Sequence, residues 1–142
     1  MGVASIHKHL NAFSDGGARG NPGPAAIAFI IKTETSETLA KNGRFIGVHT
    51  NNQAEYHALL AALETAATLR TETLTCHLDS ELVVKQLRGE YKVKNEQLKM
   101  LWQKVQEFKK HFSKVEFVNV PRSDKVILET DELVNLTLDA QG

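Results

Sequence analysis

Cys76 is the only cysteine in 142 residues, which excludes an intramolecular disulfide and any zinc site built from several thiolates. Flanked by Leu74 and Leu78, it reads as a buried strand thiol and not as a nucleophile. Net charge is missing too. The 17 Lys and Arg residues balance 17 Asp and Glu, so overall charge argues neither for nor against a polyanionic partner. No apolar run approaches the ~20 residues needed to span a bilayer, and the N-terminus lacks the charged-then-apolar order of a secretory leader. Ile6 stands where a myristoylation signal needs Ser or Thr. A cytoplasmic protein with no membrane association is therefore expected. The histidines (His7, His9, His49, His57, His77 and His111) show no metal-site spacing, and no role is assigned to them. Repeats, linkers and low-complexity segments are absent, so residues 1–142 read as a single domain around one core.

What is present is uneven. Between Lys85 and Lys114 stand nine basic residues against three acidic ones. That stripe suits a phosphate-backbone binder, and it equally suits a solvated helix face.

From Phe13 the chain reads Phe-Ser-Asp-Gly-Gly-Ala-Arg-Gly-Asn-Pro-Gly-Pro and then an apolar run, Ala-Ala-Ile-Ala-Phe-Ile-Ile. The flanking runs predict two strands, with Asp15 at the end of the first and a glycine-rich return after it. Residues 25–33 and 38–46 read as strands joined by a polar hairpin loop. Leu59, Ala62, Leu63, Ala66 and Leu69 then recur at helical spacing, predicting a helix of about 16–19 residues from near Asn51. Thr73 to Leu78 is a short strand ending at Asp79-Ser80, followed by a helix to Gly89. The stripe of Leu98, Leu101, Trp102, Val105, Phe108 and Phe112 predicts a third helix with that face in the core. Val115, Phe117 and Val120 form a last strand, Ser123 to Glu129 reads as a loop, and a final helix follows Thr130. The order β-β-β-α-β-α-α-β-α predicts an α/β domain with a mixed sheet.

Four carboxylates fall at element ends: Asp15, Glu55, Asp79 and Asp131. If the first and fourth strands are parallel neighbours, Asp15 and Asp79 emerge side by side, and two helix starts could bring Glu55 and Asp131 to the same edge. Converging acids raise one another's pKa and need a cation, and an all-oxygen set selects Mg²⁺ or Mn²⁺ over zinc. Each acid also has a plain structural explanation. Glu55 could close a capping box with Asn52, with Thr50 and Gln53 making the same pattern one register earlier. Asp79 could cap the next helix, and Asp131 could complement a helix dipole.

Phe-Ser-Asp-Gly-Gly-Ala-Arg-Gly-Asn-Pro-Gly-Pro, Thr-Asn-Asn-Gln-Ala-Glu-Tyr, Asp-Ser-Glu-Leu-Val-Val-Lys-Gln-Leu, Gly-Glu-Tyr-Lys-Val-Lys-Asn and Val-Pro-Arg, in this order, closely resemble the type 1 ribonuclease H family from about residue 6 to residue 139. The resemblance implies a ribonuclease H-like fold, with a five-stranded mixed sheet of three antiparallel and two parallel strands flanked by helices. It implies a monomeric endonuclease cutting the RNA strand of RNA–DNA hybrids, with two Mg²⁺ ions, or Mn²⁺, on Asp15, Glu55, Asp79 and Asp131. It further implies substrate contacts at Gly16, Gly17, Asn21, Thr50, Asn51, Asn52, Ser80, Lys92, Lys94 and Asn95. Of these, Gly16 and Gly17 would approach RNA 2′-hydroxyls, Asn51 and Asn52 the minor groove, and Thr50 and Asn95 a DNA-strand phosphate. A non-catalytic hybrid-binding module and a same-fold nuclease acting on duplex RNA are the alternatives.

Three departures from the family stand out. Ile127 and Thr130 occupy positions where the family often has Asn and Ala, leaving Asp124 and Glu129 as rivals to Asp131. Residues 121–130 contain no histidine, so the mobile loop histidine of longer members is absent, with Glu129 or Lys125 as stand-ins. The basic protrusion of some members is also missing, so hybrid affinity is expected to rest on Lys92, Lys94 and neighbouring lysines.

Overall fold

A computed structural model describes residues 6–141; Met1–Ser5, on which the leader and myristoylation readings largely rest, lie outside the described residues. The chain runs β1 His7–Ala18, β2 Gly23–Thr33, β3 Thr38–His49, α1 Asn51–Leu69, β4 Thr71–Leu78, α2 Glu81–Leu87, α3 Glu96–Lys109, β5 Lys114–Asn119 and α4 Lys125–Gln141. The five strands form one sheet in the order β3-β2-β1-β4-β5. β1–β2 and β2–β3 are antiparallel, whereas β1–β4 and β4–β5 are parallel.

Hydrophobic patterning explains the layering. On β2, Ile27, Phe29 and Ile31 join the large core under α1, while Ala26 and Ala28 pack with Val134 and Leu138 of α4 on the opposite face. A strand covered on both faces carries an unbroken apolar run in place of alternation. α1 buries Ala54, Ala58, Ala61, Ala62 and Ala66 beside Leu59 and Leu63, and the small side chains let the helix lie close on the sheet. Leu98, Leu101 and Val105 of α3 are buried, and Trp102 and Phe108 pack against the same core half-exposed. Phe112 is buried too, but it lies past the end of α3. Cys76 is buried, and burial pushes its thiol far above the usual range.

Two of the boundaries that differ from expectation bear on the site, each for a physical reason. Asp15 does not end β1; the strand continues to Ala18, with Gly16 and Gly17 paired to Ile27 and Ala26. Both glycines lie within the strand and not in a turn, and Gly16 serves close packing: a β-carbon there would overlap the Ala54 carbonyl and lie 2.8 Å from the Glu55 nitrogen. The last β1–β4 pair is Phe13–His77, so β1 outruns its parallel neighbour and Asp15 lies where the sheet narrows. The second difference is α4, which begins at Lys125 within the expected loop. Asp124 caps it, its Oδ1 accepting from the Val126 and Ile127 amides at 3.0 and 3.1 Å. The buried stripe Ile127, Thr130, Val134 and Leu138 hides a threonine on its inner face, with the hydroxyl returned to the Ile127 carbonyl at 2.7 Å. That polar residue masks the helical period in the sequence.

Gly16→Ala should therefore lower stability by about 2 kcal/mol or more through forced separation of α1 from β1. Gly17→Ala, whose β-carbon would meet only Val134 Cγ1 at 3.8 Å, should stay within about 0.5 kcal/mol. Urea unfolding of the two variants, read by circular dichroism, checks the contrast.

Candidate active site

Three segments distant in sequence deliver carboxylates to the end of the sheet. Asp15 projects from β1 and is 6% exposed, Glu55 from the second turn of α1 and is 8% exposed, and Asp79 follows directly on β4. One oxygen from each lies within 4.8 Å of the others. Asp131, half-buried in the second turn of α4, lines the same cleft of about 360 Å³ without belonging to that tight trio.

Local structure frees these acids. The α1 cap is Thr50, whose hydroxyl accepts from the Gln53 amide at 3.1 Å while the Gln53 side chain accepts from the Thr50 amide at 2.9 Å. The capping box thus sits two residues before Asn52 and Glu55, and Glu55 is buried. Ser80 caps α2 by accepting from the Val83 amide at 3.3 Å, which leaves Asp79 out of that role. Asp124 is engaged as the cap of α4, and Glu129 lies on the surface with Lys41 at 3.7 Å. Of the acids weighed for the last position, Asp131 is the one that faces the cleft.

The electrostatics are costly without a counter-charge. Burial, opposed in part by its contact with Glu55 and reinforced by the charges of Asp79 and Asp131, pushes Asp15 up to about 7. Burial and the charges of Asp15 and Asp79 hold Glu55 well above the usual carboxylate range. Glu55 Oε1 accepts from the Gly16 amide at 3.2 Å, but Oε2 is buried without a hydrogen-bond partner among the described residues. A buried, unpartnered carboxylate oxygen on a residue clustered with two further carboxylates fits a bound cation, and the all-oxygen donor set fits a hard divalent ion.

The other expected residues divide. Gly16, Gly17, Asn51, Asn52 and Ser80 line the cleft. Asn51 also joins Asn21 in clasping the β1–β2 turn to α1: Asn21 Oδ1 accepts from the Asn51 amide at 3.0 Å, and Asn51 Oδ1 from the Ala18 amide at 2.9 Å. Thr50 is committed to its capping box, and Asn95 caps α3 by accepting from the Leu98 amide at 3.0 Å. Lys92 and Lys94 line a separate pocket with Tyr91 and Trp102, between α2 and α3. Two arginines escaped the sequence reading as site residues. Arg122 Nε lies 3.4 Å from Asp79 Oδ2, and Arg19, also in the cleft wall, pairs with Asp139 at 2.6 Å. The signal for Arg122 was topological: the residues after β5 must pass the end of β4, its parallel neighbour.

The family described as "Reverse transcriptase-like" matches residues 13–130. A ribonuclease HI of Halobacterium salinarum is 38% identical over 130 residues, covering 92% of this chain and 64% of its own length. The crystal structure of RNase H1 from that archaeon superposes with a TM-score of 0.89 at 37% identity, over 93% of this chain and 98% of the other. The bifunctional protein Rv2228c of Mycobacterium tuberculosis is 38% identical over 128 residues, 89% of this chain but 35% of that protein. This chain therefore spans under two-thirds of the length of these curated relatives. LC11-RNase H1, solved in complex with an RNA/DNA hybrid, has a TM-score of 0.86 and 39% identity, covering 93% and 98% of the two chains.

The raised carboxyl of Asp15 gives a signed pH dependence. Between the unfolded value of 3.8 and about 7, the metal-free folded state holds more protons than the unfolded one, so its stability falls as pH rises through that window. Metal-free protein should melt at lower temperature at pH 8 than at pH 5. Glu55→Gln should raise stability at pH 8, because it removes a buried carboxylate that must ionise beside Asp15 and Asp79. Calorimetric melting in chelator across pH 5–8 measures both.

Proposed function

The chain belongs to the type 1 ribonuclease H family, and from that premise we propose that it is a divalent-metal-dependent endonuclease hydrolysing the RNA strand of RNA–DNA hybrids. The observation that carries this reading is the trio of carboxylate oxygens, one each from Asp15, Glu55 and Asp79, within 4.8 Å of one another; the buried Glu55 Oε2, unpartnered among the described residues, supports it. LC11-RNase H1, a structural relative, is solved on such a hybrid.

Asp15, Glu55, Asp79 and Asp131 would hold the ions. Mg²⁺, or Mn²⁺ in its place, would supply activation of water and stabilisation of the leaving 3′ oxygen, giving 5′-phosphate and 3′-hydroxyl ends. The remaining tasks fall to the chain itself. The narrow backbone at Gly16 and Gly17 lets an RNA strand approach and offers polar groups to 2′-hydroxyls. Asn51 and Asn52, at the head of α1, reach toward the minor groove. Asn21 holds that helix head in place, and Ser80 presents Asp79 by capping α2. Thr50 and Asn95 cap the starts of α1 and α3, where the positive ends of the helix dipoles favour a DNA-strand phosphate. Lys92 and Lys94, inside the basic run, supply phosphate contacts that carry little sequence information. We place the protein in the cytoplasm as a monomer; among the described residues no helix is long and apolar enough to cross a membrane.

Purified protein with Mg²⁺ should cleave the RNA of an end-labelled hybrid and leave duplex DNA intact. Asp15→Asn, Glu55→Gln and Asp79→Asn should each lower kcat by about 10²- to 10³-fold or more, and Asp131→Asn by less. Hybrid binding without cleavage by the wild-type protein in Mg²⁺ and Mn²⁺ would replace this reading with a binding module, and cutting of duplex RNA would widen its substrate range. Charge reversal at Lys92 and Lys94 should reduce the slope of log affinity against log salt by about one per lost phosphate contact. An unchanged slope would remove these lysines from the interface.

A further inference from the structure

Two arginines stand in the wall of the acidic cleft, and they are held differently. Arg19 Nη2 pairs with Asp139 at 2.6 Å and donates to the Asn135 carbonyl at 3.4 Å, so its charge is engaged on α4. Arg122 touches the acidic centre itself, through Nε to Asp79 Oδ2 at 3.4 Å. The contact is single and long, and the Arg122 side chain is 84% exposed while that of Asp79 is 8% exposed. The backbone beneath it is fixed. The Val120 amide and the Asn119 side chain both donate to the Leu78 carbonyl, at 2.9 and 3.2 Å, and the Asp124 amide donates to the Pro121 carbonyl at 3.0 Å. A long, weakly held cationic side chain is thus rooted beside one carboxylate of a three-carboxylate cluster.

We propose that Arg122 is an internal competitor for the divalent ion at Asp79 and, once displaced, a ligand of the substrate phosphate. The second part rests on the ribonuclease reading. Asp79 Oδ2 cannot serve the guanidinium and a divalent ion equally, since the two positive charges would repel across one oxygen. The ion wins because it also satisfies Asp15 and Glu55. Displaced, the guanidinium stays within a side chain's reach of Asp79, at the cleft mouth where a phosphate seated on the acids would present its outer oxygens. A planar fork suits that geometry better than an ammonium does.

Isothermal titration of Mg²⁺ or Mn²⁺ into substrate-free wild type, Arg122→Ala and Arg122→Lys separates the two parts. Arg122→Ala should bind the ion about two- to five-fold more tightly, the range of an exposed ion pair, with Arg122→Lys near wild type. On hybrid the order should reverse: kcat/KM should fall about ten-fold for Arg122→Ala, with Arg122→Lys in between. Unchanged or weaker ion binding by Arg122→Ala would overturn the competition. Tighter binding with undiminished cleavage would overturn the phosphate role. A wild-type protein that cleaves nothing would refute the ribonuclease reading, and the titration would still decide what Arg122 does at Asp79.

Discussion

At Gly16 the backbone of β1 runs so close to the first turns of α1 that a β-carbon would enter the Ala54 carbonyl, and the rest of the cleft is arranged around that approach. The Gly16 amide reaches Glu55 Oε1 because of it, which brings a carboxylate from a helix beside one from a strand. Every neighbouring feature keeps the two elements pressed together. Alanines floor the inner face of α1, the Thr50–Gln53 box fixes where the helix begins, and the Asn21–Asn51 clasp ties the β1–β2 turn to its head. A residue with a side chain at position 16 would shift the helix, and Glu55 with it.

The helix is also held from its far side. Tyr56, next to Glu55 and fully buried, donates to Gln86 Oε1 at 2.7 Å, and the Gln86 carbonyl accepts from Trp102 Nε1 at 3.1 Å. One polar chain thus links α1, α2 and α3 through the core. Buried hydrogen bonds of this kind specify a single arrangement, because each partner lost would leave another unsatisfied. Adjacent residues of α1 therefore divide the labour: Tyr56 anchors the helix to the core, and Glu55 bears the electrostatic strain on the other side. Trp102 couples that network to the basic pocket of Lys92 and Lys94, since its ring lines the pocket while its indole nitrogen is engaged within.

The strain itself follows from where the sheet stops. β1 continues past its last pair with β4, so Asp15 lies beyond the parallel ladder and Asp79 follows the shorter strand. Parallel strands point their carboxyl ends the same way, and a crevice opens where one outruns the other. Acids there are buried enough to raise Asp15 and Glu55, yet open enough on one side for an ion and a phosphate to enter. Stability is given up at this edge in the metal-free protein, and a bound ion would restore it.

Much of this was present in the order of residues alone. Apolar runs and their spacing determined the nine elements, the mixed sheet and the core face of α3, because hydrophobic periodicity is a local property. The five motifs determined the family, and with it the acids to inspect. What the sequence could not decide depended on competition between near-equal local options. Thr50 or Asn52 could open a capping box, Asp124, Glu129 or Asp131 could face the cleft, and Gly16 and Gly17 could bend the chain or admit a helix. Local energies at each of these sites differ by about 1 kcal/mol, too little to choose by. Packing of α1 on β1 and of α4 on β2 chose Thr50 as the cap, Asp124 as the α4 cap, Asp131 as the cleft residue and Gly16 as the point of contact. Arg122 stood in the sequence only as the end of the Val-Pro-Arg motif, without a role: its partner is 43 residues away, and the parallel pairing of β4 with β5 is what brings the loop that carries it alongside Asp79.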